Sequence, residues 1–74
     1  MTPIQFGETI RKARRALGLR QDELAGAAGV GLRFIVDLEA GKPTAQLGKA
    51  LAVLDALGGD IRIDLPAPRP GARG

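Results

Sequence analysis

The sequence predicts a small all-α domain of about four helices that ends in one short β-strand. Three patterns support this fold class. Apolar residues recur every three or four positions over most of the chain, as they do on amphipathic helices. A glycine-containing turn separates two short helical stretches near the middle, and polar and apolar residues alternate in residues 60–65, which is the period of a strand. The 74 residues make one domain, whose core is small for a monomer.

The first helix is predicted over residues 3–17. Thr2 is a favourable N-cap residue, and Pro3 suits the first turn because its missing N–H has no helical partner there. Gly18 follows at the position where a left-handed backbone commonly ends a helix. The stripe expected to face the core consists of Phe6, Ile10, Ala13 and Leu17.

The second and third helices are predicted over residues 21–28 and 32–40, with Gly29-Val30-Gly31 between them. A tight glycine-containing turn between two short helices is the signature of a helix-turn-helix, whose second helix enters the DNA major groove. DNA is therefore the first partner to consider. The side chains expected to face inward are Leu24, Ala25, Ala28, Phe34, Ile35 and Leu38.

The fourth helix is predicted over residues 44–57, with Thr44 as its N-cap. Five residues share the face expected to lie in the core: Leu47, Ala50, Leu51, Leu54 and Leu57. Small side chains are expected on the opposite face: Ala45, Ala52 and Ala56. The pair Gly58-Gly59 then ends the helix.

The terminal strand has no partner within the chain, and one strand cannot satisfy its own backbone. Pairing with the same strand of a second copy solves this. If Ile63 faces its own mate across a two-fold axis, Ile61 faces Leu65 of the second copy. Arg62 then faces Asp64, which gives two favourable cross-strand charge pairs. The sequence therefore predicts a homodimer closed by an intermolecular two-stranded ribbon; the alternative is irregular chain packed on its own helices.

Two regions follow from these elements: a DNA-binding and dimerisation domain over residues 1–65, and a tail over residues 66–74. The tail is rich in Pro and Gly and carries two arginines, so we expect it to be disordered. No apolar stretch approaches the length of a membrane span, and the first residues show no signal-peptide pattern. We expect a cytoplasmic protein with no membrane contact.

Charge is distributed unevenly along the chain. Residues 1–20 carry a net charge of +4, whereas residues 21–65 carry −3. A basic face on a small domain suits contact with phosphates; the alternative is a solvated helix face. The chain has no Cys, His or Ser, and its acids are scattered, so we expect no enzyme activity, metal site or cofactor.

Much of the chain resembles the lambda-repressor-like helix-turn-helix domains of the Xre/Cro group. The matching pieces, in order, are FGETIRKARRALGL, RQDELAGAAGV and FIVDLEAGK. The run GLRFIVDLEAGKPT, followed by one helix and a terminal strand, resembles the HipB-type antitoxin branch. That resemblance implies a dimer with an intermolecular β-ribbon and a HipA-type serine/threonine kinase toxin as partner. Arg20 and Gly31 depart from the pattern, since the family usually has Ser or Thr at these caps.

The resemblance also assigns roles to residues outside the third helix. Gln21 matches a glutamine that holds a backbone phosphate, and Lys42 matches a phosphate-binding loop position. Arg14 and Glu39 match an ion pair that links the first helix to the third. Arg20 departs from the family's cap residue, and we expect its side chain to contact a phosphate instead.

The third helix is expected to be the recognition helix, with Leu32, Arg33, Val36 and Asp37 facing outward. Arg33 is the best base reader because its guanidinium matches guanine O6 and N7, although it could equally bind phosphate. Leu32 and Val36 offer apolar contact, for instance to thymine methyl groups. Asp37 either accepts from cytosine N4 or orients Arg33 across one helical turn.

These expectations lead to three competing functions. The first is a dimeric repressor of a palindromic DNA operator that is also the antitoxin of a HipA-like kinase. The second is a stand-alone Xre-type regulator, such as a phage-type repressor or a restriction-modification controller. The third is a helix-turn-helix module that has lost DNA binding and contacts only proteins.

Overall fold

The computed structural model describes residues 1–67, and within this range the chain folds into four helices and no strand. The prediction of a four-helix domain is thus confirmed. The predicted tail lies outside the described residues except for its first two positions. No helix in the described range is both long and apolar enough to cross a membrane. The helices are α1 (Pro3–Ala16), α2 (Gln21–Ala28), α3 (Leu32–Glu39) and α4 (Leu47–Ala56).

Helix α1 begins with a capping box. The Thr2 hydroxyl accepts the N–H of Gln5 at 3.1 Å, and the Gln5 side chain accepts the N–H of Thr2 at 2.9 Å, so two otherwise unpaired donors are satisfied. The helix ends at Ala16, one residue earlier than predicted. Leu17 is exposed, so its predicted place in the core is wrong. It is the C-cap, where the chain leaves the helical path and the spacing of the stripe no longer directs the side chain.

The core lies where the four helices meet. Helix α2 packs against both α3 and α4, while α1 packs against α3. Phe6 and Phe34 lie at the margin of this core, half-buried, as the helical phase predicts for Phe34. The buried apolar residues are Ile10, Leu24, Ala25, Ile35, Leu38, Ala50 and Val53.

Helix α4 differs most from the sequence prediction. It begins at Leu47 with Gln46 at the cap position, because the chain at Thr44 forms a turn. Leu47 and Leu51 are 69% and 39% exposed, whereas Val53 is fully buried. The predicted face was too wide: Leu51 follows Ala50 by one position and so points about 100° away from it around the axis.

Two alanines near the ends of α4 also depart from the prediction. Ala45 and Ala56 were expected on an all-small outer face, but both are partly buried and pack against the core. The side of α4 that faces the core therefore includes alanine and valine side chains, together with Leu54 and Leu57 as predicted. The leucines at positions 47 and 51 lie on the flank that faces solvent.

The segment after α4 has no regular secondary structure over residues 59–67. Ile63 and Leu65 are 73% and 80% exposed, and Ile61 is also exposed. Arg62 contacts Asp64 of its own segment, with 3.1 Å between Nε and Oδ1. The predicted strand is thus absent from the single described chain, and the ribbon stays a prediction because it needs a second copy.

Candidate nucleic-acid interface

The turn between α2 and α3 is built on Gly29. This residue caps α2 in the left-handed conformation, with φ of +71°, which glycine adopts without steric cost. Its N–H donates to the Gly26 carbonyl at 3.3 Å, and the N–H of Val30 donates to the Ala25 carbonyl at 3.0 Å. These bonds close the end of α2, so the two helices meet at a defined corner.

Helix α3 is divided between an inner and an outer face. Ile35 and Leu38 are buried in the core, which fixes how the helix is rotated. Leu32 is exposed, and the side chain of Arg33 is 83% exposed. Of the four residues predicted to face outward, Val36 and Asp37 are partly buried. The outer face therefore centres on Leu32 and Arg33.

Asp37 joins two cations along this outer face. Its carboxylate lies 3.2 Å from Arg33 Nε, one helical turn earlier, and 3.5 Å from Lys42 Nζ, just after the helix. The structure thus brings together three of the predicted DNA-binding residues. The contact to Arg33 is the one that orientation of Arg33 by Asp37 requires.

Arg14 and Glu39 form a two-bond ion pair between α1 and α3. Arg14 Nε donates to Glu39 Oε2 at 2.6 Å and Nη2 donates to Oε1 at 3.0 Å, while Nη1 donates to the Leu19 carbonyl at 2.8 Å. The two side chains are only 10% and 4% exposed. The pair therefore ties both helices and the loop before α2 at one point.

The environment of this pair keeps both groups charged. Burial raises the pKa of the Glu39 carboxyl, but hydrogen bonds from Arg14 and Gln21 and the positive charges of Arg14 and Arg11 outweigh it, so that the pKa lies below its ordinary value. The hydrogen bond to Glu39 raises the pKa of Arg14 above its ordinary value. The pair is thus ionised throughout the neutral range.

Gln21 and Arg20, at the start of α2, have different surroundings. Gln21 Nε2 donates to Glu39 Oε1 at 3.2 Å, so this predicted phosphate ligand is attached to the ion pair. The exposed Arg20 guanidinium lies 3.0 Å from Asp22 Oδ1, and its backbone N–H donates to Glu23 Oε1 at 2.8 Å. The Glu23 carboxylate thus supplies one half of a capping box where Arg20 has no accepting group.

A polar cleft of about 360 Å³ opens beside the ion pair. Its walls include Arg11 and Arg15 from α1, together with Arg14, Gln21 and Glu39. Sequence reasoning counted Arg11 and Arg15 only toward overall charge. The spacing of Arg14 and Arg15 from Arg11 could have indicated the cleft, because residues three and four positions apart share one helix face.

The residues predicted for dimerisation lie elsewhere. Ile61 lines an apolar groove with Phe6 of α1 and Leu47 and Ala50 of α4. This groove is separate from the polar cleft and shares none of its lining residues. Of the predicted site residues, Ile61 and Lys42 line this apolar groove, whereas Gln21 and Val36 line the polar cleft.

Comparison with known proteins agrees with this geometry. A family model described as helix-turn-helix matches residues 10–63, which include α2, the turn and α3. An uncharacterized HTH-type transcriptional regulator of Sinorhizobium fredii, y4mF, is 63% identical over 68 residues, covering 92% of this chain and 90% of that protein. The chain belongs to the helix-turn-helix family and is a transcriptional regulator of the Xre, lambda-repressor-like type.

Proposed function

We propose that this protein is a dimeric repressor that binds a palindromic operator, with α3 of each copy in the major groove. The observation that carries the proposal is the exposed Arg33 on a helix whose inner face is locked by Ile35 and Leu38. A base-reading side chain needs such a rigid support, because a loosely held helix would lose the register of its contacts.

Arg33 is the base reader in this proposal. Its ion pair with Asp37 across one turn already restricts the long side chain, so that less conformational entropy is lost on binding. The guanidinium still has donors for guanine O6 and N7. Leu32 supplies apolar contact to a thymine methyl group. Lys42 and Gln21 hold backbone phosphates on either side and set the register of the helix.

Dimerisation places two such helices on one operator. In the proposed dimer, the terminal segments of two copies pair as antiparallel strands around Ile63, with Ile61 facing Leu65. The support is the alternating sequence of this segment and the exposure of its apolar side chains in the single chain. Two recognition helices about 34 Å apart would then read half-sites one helical turn apart.

We further propose that the protein is the HipB-like antitoxin of a type II toxin-antitoxin module. It would bind and inhibit a HipA-like kinase and repress its own operon. The support is the sequence from Gly31 to Thr44 followed by one helix and an alternating terminal segment, which is similar to that branch. The alternative is a stand-alone Xre-type regulator, such as a phage-type repressor or a restriction-modification controller.

The DNA-binding proposal is tested with duplexes from the region upstream of the protein's own reading frame. We expect the wild type to prefer one such duplex over a scrambled duplex in fluorescence anisotropy. Arg33→Ala should reduce that preference by about 1–3 kcal/mol and leave affinity for the scrambled duplex nearly unchanged. Lys12→Ala, which removes one charge from α1, is the control and should keep the preference. Equal binding of both duplexes by the wild type would contradict the proposal.

The antitoxin proposal needs a separate experiment. An affinity-tagged copy is expressed from its native operon and purified with its partners, which are identified by mass spectrometry. Recovery of a kinase encoded beside this reading frame, together with loss of autophosphorylation in the complex, supports the antitoxin role. Purification of the regulator alone, from cells that express the neighbouring genes, favours the stand-alone regulator.

A further inference from the structure

We propose that Arg11 and Arg15 of α1 form, with Gln21, a clamp for a DNA backbone phosphate outside the recognition helix. The inference rests on the proposed function, because the ligand is a phosphodiester of the bound duplex. It assigns a role to a second helix and predicts a wider footprint on DNA than α3 alone would give. The clamp is the polar cleft beside the Arg14–Glu39 pair.

The shape of the cleft suits a phosphate group. Arg11, Arg14 and Arg15 line it from α1, because positions spaced by three and four residues share one helix face. Gln21 and Glu39 line it from α2 and α3. Its volume of about 360 Å³ exceeds that of one phosphate and leaves room for ordered water, which commonly bridges side chains to DNA phosphates.

The charges of the cleft favour an anion. Three guanidinium groups face one carboxylate. Arg14 is already committed, since its Nε and both Nη atoms donate to Glu39 and to the Leu19 carbonyl. Arg11 and Arg15 are both exposed, and within residues 1–67 neither forms a salt bridge. Their donors are therefore available to a ligand from outside.

Gln21 completes the clamp from the other wall. An amide group has two N–H donors, and the contact to Glu39 Oε1 at 3.2 Å uses one of them. Gln21 is also the first residue of α2, so the positive end of that helix faces the same side. A phosphate held here would bridge α1 and α2, both of which are fixed to α3 through Glu39.

The salt dependence of DNA binding tests the clamp. We expect Arg11→Gln/Arg15→Gln to reduce the slope of log affinity against log salt by about 1 for each arginine in each copy. Operator preference should be unchanged, because phosphate contacts carry no sequence information. Lys12→Gln is the matched control, since Lys12 is an exposed cation on the same helix but does not line the cleft. Arg11→Lys/Arg15→Lys should restore most of the slope.

The outcomes separate this inference from the proposed function. If the wild type binds no duplex at low salt, the proposed function fails. If it binds and the double Gln variant changes the slope no more than Lys12→Gln does, only the clamp is overturned. A second measurement follows the side-chain amide of Gln21 by NMR. A shift with duplex and none with equimolar inorganic phosphate supports the clamp, whereas saturation by phosphate alone would assign the cleft to a free anion.

Discussion

Gly7 is the residue at which the backbones of α1 and α3 come into contact. A β-carbon at this position would overlap the Leu38 carbonyl oxygen and lie 2.8 Å from that of Glu39. Those oxygens belong to backbone at the end of α3 and cannot rotate aside as a side chain would. The absence of a side chain at one position in α1 thus determines how closely α3 packs against α1.

Replacing Gly7 with Ala should destabilise the protein by about 1–3 kcal/mol, the range for inserting a methyl group into a packed contact. The loss is measured by urea unfolding followed by circular dichroism. Gly26→Ala is the matched control, because a β-carbon there meets no atom within 4 Å and alanine favours a helix over glycine by roughly 0.5–1 kcal/mol. A Gly7→Ala protein as stable as the Gly26→Ala protein would contradict the close packing.

The Arg14–Glu39 pair acts between elements, since it joins α1, α3 and the loop before α2. Both members are nearly buried. Such a pair contributes little over a well-packed apolar pair, but loss of one member leaves a buried charge without its partner. The pair therefore matters most as a constraint on geometry, and Glu39 also accepts a hydrogen bond from Gln21, the proposed phosphate ligand.

Arg14→Ala should cost about 3 kcal/mol or more, whereas Arg15→Ala, at an exposed position of the same helix, should stay within about 0.5 kcal/mol. Thermal melts of the two variants provide the comparison. Arg14→Met/Glu39→Leu should recover much of the loss, because no unpaired charge remains. Equal melting temperatures for Arg14→Ala and Arg15→Ala would disprove the structural role of the pair.

The same pair predicts the acid behaviour of the protein. The pKa of Glu39 is lower in the folded chain than its ordinary value, so ionised Glu39 stabilises the fold. This stabilisation is complete above the unfolded pKa of about 4.3 and is lost as pH falls through the lower, folded value. Unfolding free energies between pH 5 and pH 3 should fall less steeply in Arg14→Met/Glu39→Leu than in the wild type. Parallel curves would show that Glu39 does not contribute.

At the scale of the whole molecule, the single chain leaves several large apolar side chains exposed. Ile63 and Leu65 of the terminal segment and Leu47 and Leu51 of α4 are all exposed. A domain of 74 residues has little core to spare. Burying these residues against a second copy would add buried apolar surface to that of the single chain. The proposed dimer should therefore also be more stable than the monomer.

Ile63→Lys should break the dimer, because it would place two like charges opposite each other at the proposed two-fold axis. Sedimentation measures the mass, and binding to the operator should weaken because the two half-sites no longer act together. Leu17→Lys is the control, since Leu17 is an exposed apolar residue at the end of α1. A wild type that sediments as a monomer at micromolar concentration would disprove the ribbon.

The sequence by itself determined the local features of this protein. Capping at Thr2, the start and end of α2, and the turn at Gly29 depend on neighbours within a few positions, so their patterns can be read along the chain. The helix-turn-helix and the outward Arg33 follow from the same short-range periodicity.

Only the tertiary structure decided features that depend on what lies opposite a residue. The burial of Val53 instead of Leu51 reflects how α4 rotates against α2, and a helix with apolar residues on two sides does not specify that rotation. The need for Gly7 arises from the carbonyls of α3 that pass over it. The polar cleft forms only because α1, α2 and α3 converge on Glu39. Spacing along one helix cannot predict which residues of distant segments come together.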